Sequence, residues 1–484
     1  MKRHLYQVAV ISVLFIVVMF VVSGCGGKNA AVNQKGEIPV LTWLVPGDKE
    51  ADIESVMKEV DKIIEPSIGA KLDLQFIDGG AYSERMMMNM ASQTAYDLCF
   101  TGYVNTYAKA VENGGLEKLD KLIEDKAPGL KTLIPDYFWN DAKISGGIYA
   151  VPNVQVAFTQ YTSYVEKALA QKYGFDFSNV KTMNELEPFL KKVKDGEPGI
   201  YPWNNGYGIG MWYGGTYEEI IQGFAIKLDG SSKKAVLIRD TPEFMNGLKT
   251  IRDWYLKGYI RKDVASVTDD TTDYLAGKYA VSQNGWKPGA EAQKKLQTGR
   301  EVVAVKMMEP ILKSSFSRQT MTGISVNSKN KEKAIKLIEQ MNKNKELYNL
   351  VSFGIEGKHY KLNGDKRVEF IEKSGYAPKS AWKFGNQFLS QLIVVEDDNV
   401  WEETQKTNNE AKKSALLGFY FDTEPVMNEI AQIQAIYKEY GAMHMGNEDP
   451  KVYWDTMVSR LKAAGEDRVM AEVQKQLDVF FAKQ

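Results

Sequence analysis

The stretch PVLTWLV, residues 39–45, opens an alternation of strand and helix patterns that decides the fold. Its run of β-branched and large apolar residues predicts a buried strand. The apolar residues from Ile53 to Ile64 then recur at the spacing of an amphipathic helix. KLDLQFI, residues 71–77, alternates as a half-buried strand does, and a helix around Ser83–Ala91 precedes the apolar strand DLCF, residues 97–100. This order predicts βαβ units and a parallel sheet.

The loops after these strands are the first candidates for a binding site. In open parallel sheets, ligands bind beyond the carboxyl ends of the strands. The loops in question are LVPGDKE at 44–50, FTGYVNTY at 100–107 and VPNVQ at 151–155.

A second α/β region is predicted from about residue 156 to residue 320. It contains the Gly-rich segment DGEPGIYPWNNGYGIGMWYGG, residues 195–215. The chain as a whole holds 25 Tyr, 20 Phe and 9 Trp, and aromatic rings with a polar edge suit carbohydrate when they lie in polar loops. Amphipathic helices are predicted at 331–341 and in the last 60 residues or so, from the spacing of their apolar residues. The five aromatic residues of the Gly-rich segment are Tyr201, Trp203, Tyr207, Trp212 and Tyr213.

The N-terminal residues predict export and a lipid anchor. Met1–His4 is basic and Leu5–Val22 is almost wholly apolar, which is the plan of a secretory signal peptide. A transmembrane anchor is the alternative, because the run approaches the roughly 18–20 residues that span a bilayer. VSGC, residues 22–25, resembles the bacterial lipobox, in which cleavage precedes a cysteine that carries the lipid. We expect a signal peptide at 1–24, a lipidated Cys25 and a flexible tether at 25–37, with the protein on the extracellular face of the membrane.

The composition excludes several function classes. The second cysteine, Cys99, lies in the apolar stretch YDLCF and is predicted to be a core thiol. A net charge of −1 offers no basic face for nucleic acid. Motifs of serine nucleophiles, nucleotide-binding loops and zinc sites are absent from the sequence. TDDTTD, residues 268–273, lacks the spacing and glycine of a calcium loop, so we expect a solvated loop or helix start there, and neither a cofactor nor a metal.

Four segments together resemble the extracellular solute-binding proteins of ABC importers, in particular the carbohydrate-binding, maltose-type family. Two of them carry the family's first ligand loop and first crossover between lobes, and two carry a strand that ends in a ligand-facing tryptophan and the return crossover. In chain order they are TAYDLCFTGYVNTYAKAVENGGLEKLDKLI (94–123), GGIYAVPNVQVAF (146–158), YLAGKYAVSQNGWKPG (274–289) and TGISVNSKNKEKAIKLIEQM (322–341).

The resemblance implies an α/β, two-lobe, periplasmic-binding-protein-like fold of type II, with hinge-linked lobes and a helical C-terminal region. Lobe 1 would comprise 38–151 and about 322–355, and lobe 2 would comprise 152–321 and about 356–484. The crossovers would lie near Ala150–Asn153, Met321–Val326 and Phe353–Gly357. The end of the chain, with FGIEGKHYKLNGDK, KFGNQFLS and LLGFYFDTEPV, resembles a Gram-positive subgroup linked to import of plant-polysaccharide oligosaccharides.

The same resemblance places candidate ligand contacts. Trp286 falls on the family's ligand-stacking tryptophan, or it plugs the hinge. Asn284 beside it bonds sugar hydroxyls or shapes the turn, as does Gln283. Tyr103 and Asn105 lie where the family places a ring and a polar partner, whereas Asp97 is expected to be structural.

Further candidates come from other loops. Of Trp203 and Trp212, one is expected to contact ligand and the other to pack. Trp43 closes the first strand near the expected cleft. Glu356, between two glycines, faces the ligand or caps a turn, and Trp382 is a further candidate.

These features predict a monomeric, lipid-anchored, non-enzymatic receptor that captures an oligosaccharide by lobe closure and delivers it to an ABC permease. Two alternatives stay open. A secreted glycoside hydrolase needs only two carboxylates, and a surface lipoprotein without a ligand would have no cleft.

Overall fold

The computed structural model describes residues 37–206, 208–267 and 269–484, with only the backbone at 103–106. The predicted signal peptide, Cys25 and the tether up to residue 36 lie outside the described residues. Residues Ile38–Gln484 form one compact unit.

The first α/β region follows the predicted alternation of strand and helix. Its first helix buries one apolar stripe, which includes Val56, Val60 and Ile64, and ends at Gly69, whose left-handed backbone lets its N–H reach the carbonyl of Glu65. The elements are β1 (Val40–Pro46), α1 (Ile53–Ile68), β2 (Lys71–Ile77), α2 (Tyr82–Ala91), β3 (Leu98–Gly102), α3 (Tyr103–Glu112), α4 (Asp120–Lys126), α5 (Leu130–Leu133), α6 (Asp136–Ala142) and β4 (Ala150–Pro152).

The second α/β region contains a longer run of short strands. Its main helix begins with Pro242 behind Thr241, whose hydroxyl accepts a hydrogen bond from the N–H of Phe244. The elements are β5 (Tyr161–Glu166), α7 (Lys167–Tyr173), α8 (Glu187–Gly196), β6 (Tyr201–Trp203), α9 (Gly210–Tyr213), β7 (Tyr217–Ile221), β8 (Phe224–Lys227), β9 (Val236–Leu237), α10 (Pro242–Leu256), α11 (Thr271–Leu275), β10 (Tyr279–Gly285), α12 (Ala290–Thr298) and β11 (Val302–Lys306).

The chain then returns to the first region and ends in helices, as the apolar spacing predicts. The remaining elements are β12 (Ile311–Leu312), β13 (Thr320–Ile324), α13 (Lys331–Lys343), α14 (Lys345–Phe353), β14 (Tyr360–Leu362), β15 (Val368–Phe370), α15 (Val400–Glu410), β16 (Lys412–Lys413), α16 (Met427–Glu439), α17 (Gly441–Met445), α18 (Pro450–Ala463) and α19 (Glu466–Phe481). Short 3₁₀ turns occur at Met183–Leu186, Ile238–Asp240, Val264–Ser266, Ser317–Gln319, Ala381–Lys383, Gln387–Leu389 and Glu424–Val426.

Two sheets organise these elements. The first has the order β2-β1-β3-β13-β4, and the second has the order β11-β5-β10-β6. In the first sheet, β1 runs parallel to β2 and β3, so the loops after β1 and β3 emerge at the same edge. β13 runs antiparallel to β3 and pairs Thr320 with Gly102. A Cβ on Gly102 would lie 2.0 Å from the carbonyl oxygen of Gln319, so this close approach requires glycine.

Each sheet carries its own hydrophobic core. The first core is built mainly from residues 41–158 and 312–351, and the second mainly from 165–305 and 416–477. Cys99 is fully buried in the first core, and burial raises the pKa of its thiol to about 12. The two cores confirm the predicted two-lobe α/β architecture.

Three segments connect the two cores. The first crossover, residues 153–160, follows β4, and the second, residues 307–319, precedes β13. The predicted second crossover at Met321–Val326 falls largely on β13 itself. Residues beyond 355 contribute to both cores, because Tyr376 and Phe384 pack in the first and Leu416 in the second. The third crossover is therefore residues 411–415, and the proposed lobe boundaries stay a prediction.

Candidate functional site

Buried carboxylates from both cores hold the second crossover. Asp141, fully buried on α6, accepts hydrogen bonds from the N–H groups of Ser315 (2.7 Å) and Ser317 (2.9 Å) and from the Ser317 hydroxyl (2.8 Å). Glu218, buried on β7, accepts from the N–H (2.7 Å) and hydroxyl (2.6 Å) of Ser314. Neighbouring serines are thus fixed to opposite cores, and Ser315 has a positive φ of 63°.

Glu218 also holds the third crossover, because it accepts a hydrogen bond from the hydroxyl of Ser414. Beside this contact, β12 and β16 pair in parallel, with Ile311 opposite Lys412. Burial raises the pKa of the Glu218 carboxyl, and the serine hydrogen bonds oppose this rise. The second and third crossovers therefore form one double connection at the seam between the cores.

A cavity of about 420 Å³ lies at this seam. We call it the interlobe cavity. Its walls come from the first crossover, the α9–β7 segment and the second crossover. The lining residues are Gln155, Val156, Ala157, Phe158, Thr159, Tyr161, Gly210, Tyr213, Gly214, Tyr217, Glu218, Glu219, Lys313, Ser314, Ser315, Phe316 and Gln319.

Aromatic residues from both cores line the interlobe cavity. Phe158 belongs to the first core and Phe316 packs against it, whereas Tyr217 belongs to the second core and Tyr161 and Tyr213 pack against it. Rings of this kind offer flat apolar faces, and the tyrosines add a polar edge. The arrangement suits a ligand that carries both apolar faces and hydroxyl groups.

Polar side chains surround these rings. The ammonium of Lys313 lies 4.9 Å from the centre of the Tyr161 ring and donates to its hydroxyl at 3.3 Å. The Tyr213 hydroxyl donates to Glu219 at 3.1 Å, and the Gln155 amide donates to the Thr320 hydroxyl at 2.7 Å. Hydrogen-bonding groups thus reach the cavity from both lobes, as a site that selects among polyhydroxylated ligands requires.

Comparison with known proteins identifies the family. The model of the bacterial extracellular solute-binding proteins matches residues 67–346, and a domain of unknown function, DUF3502, matches residues 415–482. A carbohydrate ABC transporter substrate-binding protein of Streptococcus pneumoniae serotype 4 (strain ATCC BAA-334 / TIGR4) is 30% identical over 475 residues, which cover 95% of each chain.

The chain belongs to the bacterial extracellular solute-binding proteins. This solute-binding protein is also similar to solved structures of the N-glycan transport solute binding protein NgtS from Streptococcus pneumoniae. One such structure has a TM-score of 0.81 at 28% identity and covers 91% of this chain and 99% of that chain. The structure of NgtS with Man5GlcNAc has a TM-score of 0.74 at 28% identity and covers 92% and 99%. The predicted type II fold is confirmed.

Neither membrane helices nor metal clusters are found where the structure describes this solute-binding protein. None of the described helices combines the length and hydrophobicity needed to cross a bilayer. Within the same residues, His, Cys, Asp and Glu side chains nowhere gather in threes suited to a metal ion. In the acidic stretch, Asp273 instead pairs with Arg261 and Lys278 at 2.8 Å each.

Trp286 lies next to the interlobe cavity but does not line it. Its half-buried ring packs against the first core and stands 6.3 Å from Phe158, which does line the cavity. The ammonium of Lys306 lies 3.3 Å from the ring centre, and the indole N–H donates to Glu291 at 3.3 Å. One face of the ring is therefore occupied by a cation, and the roles of ligand platform and hinge plug both stay predictions.

The other candidate tryptophans differ in how deeply their rings are buried. Trp43, 1% exposed, packs edge-on against Phe384 at 5.6 Å, so a ligand would reach it only if Phe384 moved. Trp203 is fully buried and contacts Trp254 at 4.9 Å. Trp212 is half-buried and lines a cavity of about 520 Å³. Trp203 also lines a separate cavity of about 290 Å³, so which of the pair packs and which contacts ligand stays a prediction.

The polar candidates do not meet in one place. Asn284 is exposed at the end of β10, where its side-chain oxygen accepts from the N–H of Gly285 at 2.8 Å. Glu356 lines a separate cavity between α1 and α14, which shares no residue with the interlobe cavity. Tyr103 and Asn105 begin α3 directly after β3, but their side chains lie outside the described residues.

Two further residues named from the sequence are Asp97 and Trp382. Asp97 accepts hydrogen bonds from the Thr42 N–H at 3.0 Å and the Ser328 hydroxyl at 2.6 Å, as a structural carboxylate does. Trp382 is half-buried and packs edge-on against Phe100 at 5.9 Å.

Sequence reasoning missed most of the rings of the interlobe cavity. Tyr213 lies in the aromatic segment singled out above, but Tyr161 and Phe316 lie in or beside crossovers with no local motif. Their only signal is position, because each stands within a few residues of the point where the chain changes sheets.

Proposed function

We propose that this solute-binding protein captures an oligosaccharide in the interlobe cavity and releases it, unmodified, to an ABC permease. The observation that carries the proposal is the cavity itself, because rings and hydrogen-bonding groups from both cores line it. A ligand held there touches both lobes, so its binding energy favours the conformation that brings the lobes together.

The relatives support the class of ligand. Proteins that share this chain's fold and about 30% of its residues transport carbohydrate, and one of them is solved with Man5GlcNAc. We therefore propose oligosaccharides of mannose and N-acetylglucosamine as first ligands to test. The plant-derived oligosaccharides expected from the C-terminal resemblance form the second panel.

The proposed location rests on the sequence. The VSGC stretch at residues 22–25 supports a lipid anchor on Cys25, which would keep the binding lobes near a permease in the same membrane. Confinement of this kind raises the effective concentration of the receptor at its partner. Mass spectrometry of the N-terminal peptide from membranes tests the anchor, because an unmodified Cys25 would contradict it.

A thermal-shift screen with product analysis tests the function. A ligand at 100 times its dissociation constant adds about 2.7 kcal/mol to the free energy of unfolding, so a bound oligosaccharide should raise the melting temperature clearly. We expect the sugar to be recovered intact. Recovery of cleaved sugar would support the glycoside hydrolase, and no shift with either panel would support a surface lipoprotein without a sugar ligand.

Trp286→Ala tests the aromatic platform expected from the sequence. If the ring stacks on the sugar, its removal should weaken binding by about 1.5–3 kcal/mol, which is a loss of roughly 10-fold or more in affinity by calorimetry. Trp401→Ala is the matched control, since Trp401 is also half-buried and donates to the Ser390 carbonyl at 3.1 Å, outside the interlobe cavity. Equal affinity in Trp286→Ala and the control would assign Trp286 to hinge packing.

A further inference from the structure

Two further spaces adjoin the interlobe cavity, one larger and one smaller than it. A cavity of about 520 Å³ shares Tyr161 with it, and we call this the outer compartment. A cavity of about 150 Å³ shares Glu219, Ser314 and Ser315 with it, and we call this the inner compartment. The shared lining residues show that both spaces are direct neighbours of the interlobe cavity.

The second crossover and the α9–β7 segment each line all three spaces. On the second crossover, residues 307–311 line the outer compartment, 313–319 the interlobe cavity and 314–318 the inner compartment. Along the α9–β7 segment, the residues that line the outer compartment fall within 211–216, those that line the interlobe cavity within 210–219, and those that line the inner compartment within 219–221. Two chain segments that run side by side therefore bound one groove.

The outer compartment has the chemistry of a sugar subsite. The half-buried ring of Trp212 lines it, and the indole N–H donates to Asn184 at 2.9 Å, which fixes the ring. Glu243, whose buried Oε2 atom has no hydrogen-bond partner among the described residues, lines the same space. An apolar ring beside an unsatisfied acceptor suits a ligand that offers both an apolar face and a hydroxyl donor. Four methionines complete the apolar lining: Met183, Met211, Met307 and Met308.

The inner compartment is narrower and ends the groove against lobe 1. Ala108, Lys109 and Glu112 of α3 line it opposite Ile220 and Ile221 of lobe 2. The Tyr420 hydroxyl donates to Glu112 at 2.6 Å. Ala108, Lys109 and Glu112 lie in the second half of α3, away from the predicted ligand loop at its start.

We infer that the ligand is an oligosaccharide of several sugars that lies along this groove, and that the outer compartment is a subsite which selects for length. The inference rests on the proposed function, and it names the ligand class of the same site. A short sugar fills the interlobe cavity alone, whereas a longer one passes Tyr161 and gains the contacts around Trp212.

Gly215→Phe tests the subsite without removing any side chain. Gly215 and Met308 both line the outer compartment, and a Cβ built on Gly215 would touch the Cβ of Met308 at 3.4 Å, so a phenyl ring at position 215 would displace Met308 or occupy part of the compartment. Gly215 is not among the glycines with positive φ, so the backbone accepts the change. Asn246→Trp, at an exposed position on α10 that lines the same compartment, is the second blocking variant. Gly364→Phe, in the turn after β14 with nothing within 4 Å of its Cβ, is the control.

Calorimetry with Man5GlcNAc and with the mannosyl-N-acetylglucosamine disaccharide gives the result. The wild type should bind the longer sugar at least about ten-fold more tightly than the disaccharide. Both blocking variants should lose this advantage while their affinity for the disaccharide stays unchanged. The Gly364→Phe control should bind both sugars as the wild type does. Equal wild-type affinities, or blocking variants that keep the advantage, would overturn the inference and leave the proposed function standing. No binding of either sugar by the folded wild type would overturn both.

Discussion

Glu466→Ala should destabilise the protein by about 3–5 kcal/mol, because it leaves a buried guanidinium with only the exposed Asp240 carboxylate, 3.7 Å away, as a counter-charge. Arg239 is 2% exposed and Glu466 is 1% exposed. The two side chains form a two-point contact, in which Nη2 donates to Oε2 at 2.7 Å and Nη1 donates to Oε1. Glu466 is the first residue of α19, so the pair fixes the last helix to the 3₁₀ turn that precedes α10.

Chemical denaturation of matched variants checks this expectation. Glu439→Ala breaks the exposed pair with Arg460, whose side chains are 54% and 43% exposed, and should cost less than about 1 kcal/mol. The double variant Arg239→Met with Glu466→Leu removes both buried charges and should recover much of the lost stability. If Glu466→Ala and Glu439→Ala lower the free energy of unfolding by similar amounts, burial does not determine the contribution of the Arg239–Glu466 pair.

Asp141→Ala should also cost about 3–5 kcal/mol, and it should weaken ligand binding at the same time. The variant removes the acceptor of three hydrogen bonds from the second crossover. It also leaves the guanidinium of Arg318, 2% exposed and 3.6 Å from Asp141, without that carboxylate. Because Ser315 and Phe316 line the interlobe cavity, a freed crossover changes the cavity wall.

Two measurements on each variant separate stability from binding. Asp195→Ala, which breaks an exposed i,i+4 pair with Lys191, is the control and should change neither quantity appreciably. Asp141→Ala should lower the denaturation midpoint and, under conditions where it remains folded, bind oligosaccharide more weakly than the control. If Asp141→Ala has the same denaturation midpoint and the same oligosaccharide affinity as the control, Asp141 does not hold the crossover.

Local patterns predict the architecture well because they are set by burial. The apolar stripe from Ile53 to Ile64 becomes α1, and the alternation in residues 71–77 becomes β2. The position of the return crossover is harder to predict from the sequence. The family resemblance predicts a crossover at TGISV. Thr320–Ile324 instead pair with two neighbouring strands in the first sheet. This pairing is set by contacts between residues distant in sequence.

The site is harder to predict for a related reason. A tryptophan in a Gly-rich aromatic segment has the same sequence signature whether its ring is buried or accessible. Trp203 and Trp212 stand nine positions apart in one such segment, yet Trp203 is fully buried while Trp212 is only half-buried. Tyr161 and Phe316 approach the same cavity only because two crossovers pass side by side, which no short motif encodes.

The most direct test of the account is a crystal structure of the protein with the tightest-binding oligosaccharide from the screen. We expect intact sugar rings in the interlobe cavity, in contact with Tyr161, Tyr213 and Phe316, and therefore with both lobes. A sugar bound only at a surface remote from the second crossover, or a cleaved sugar in the cavity, would contradict it.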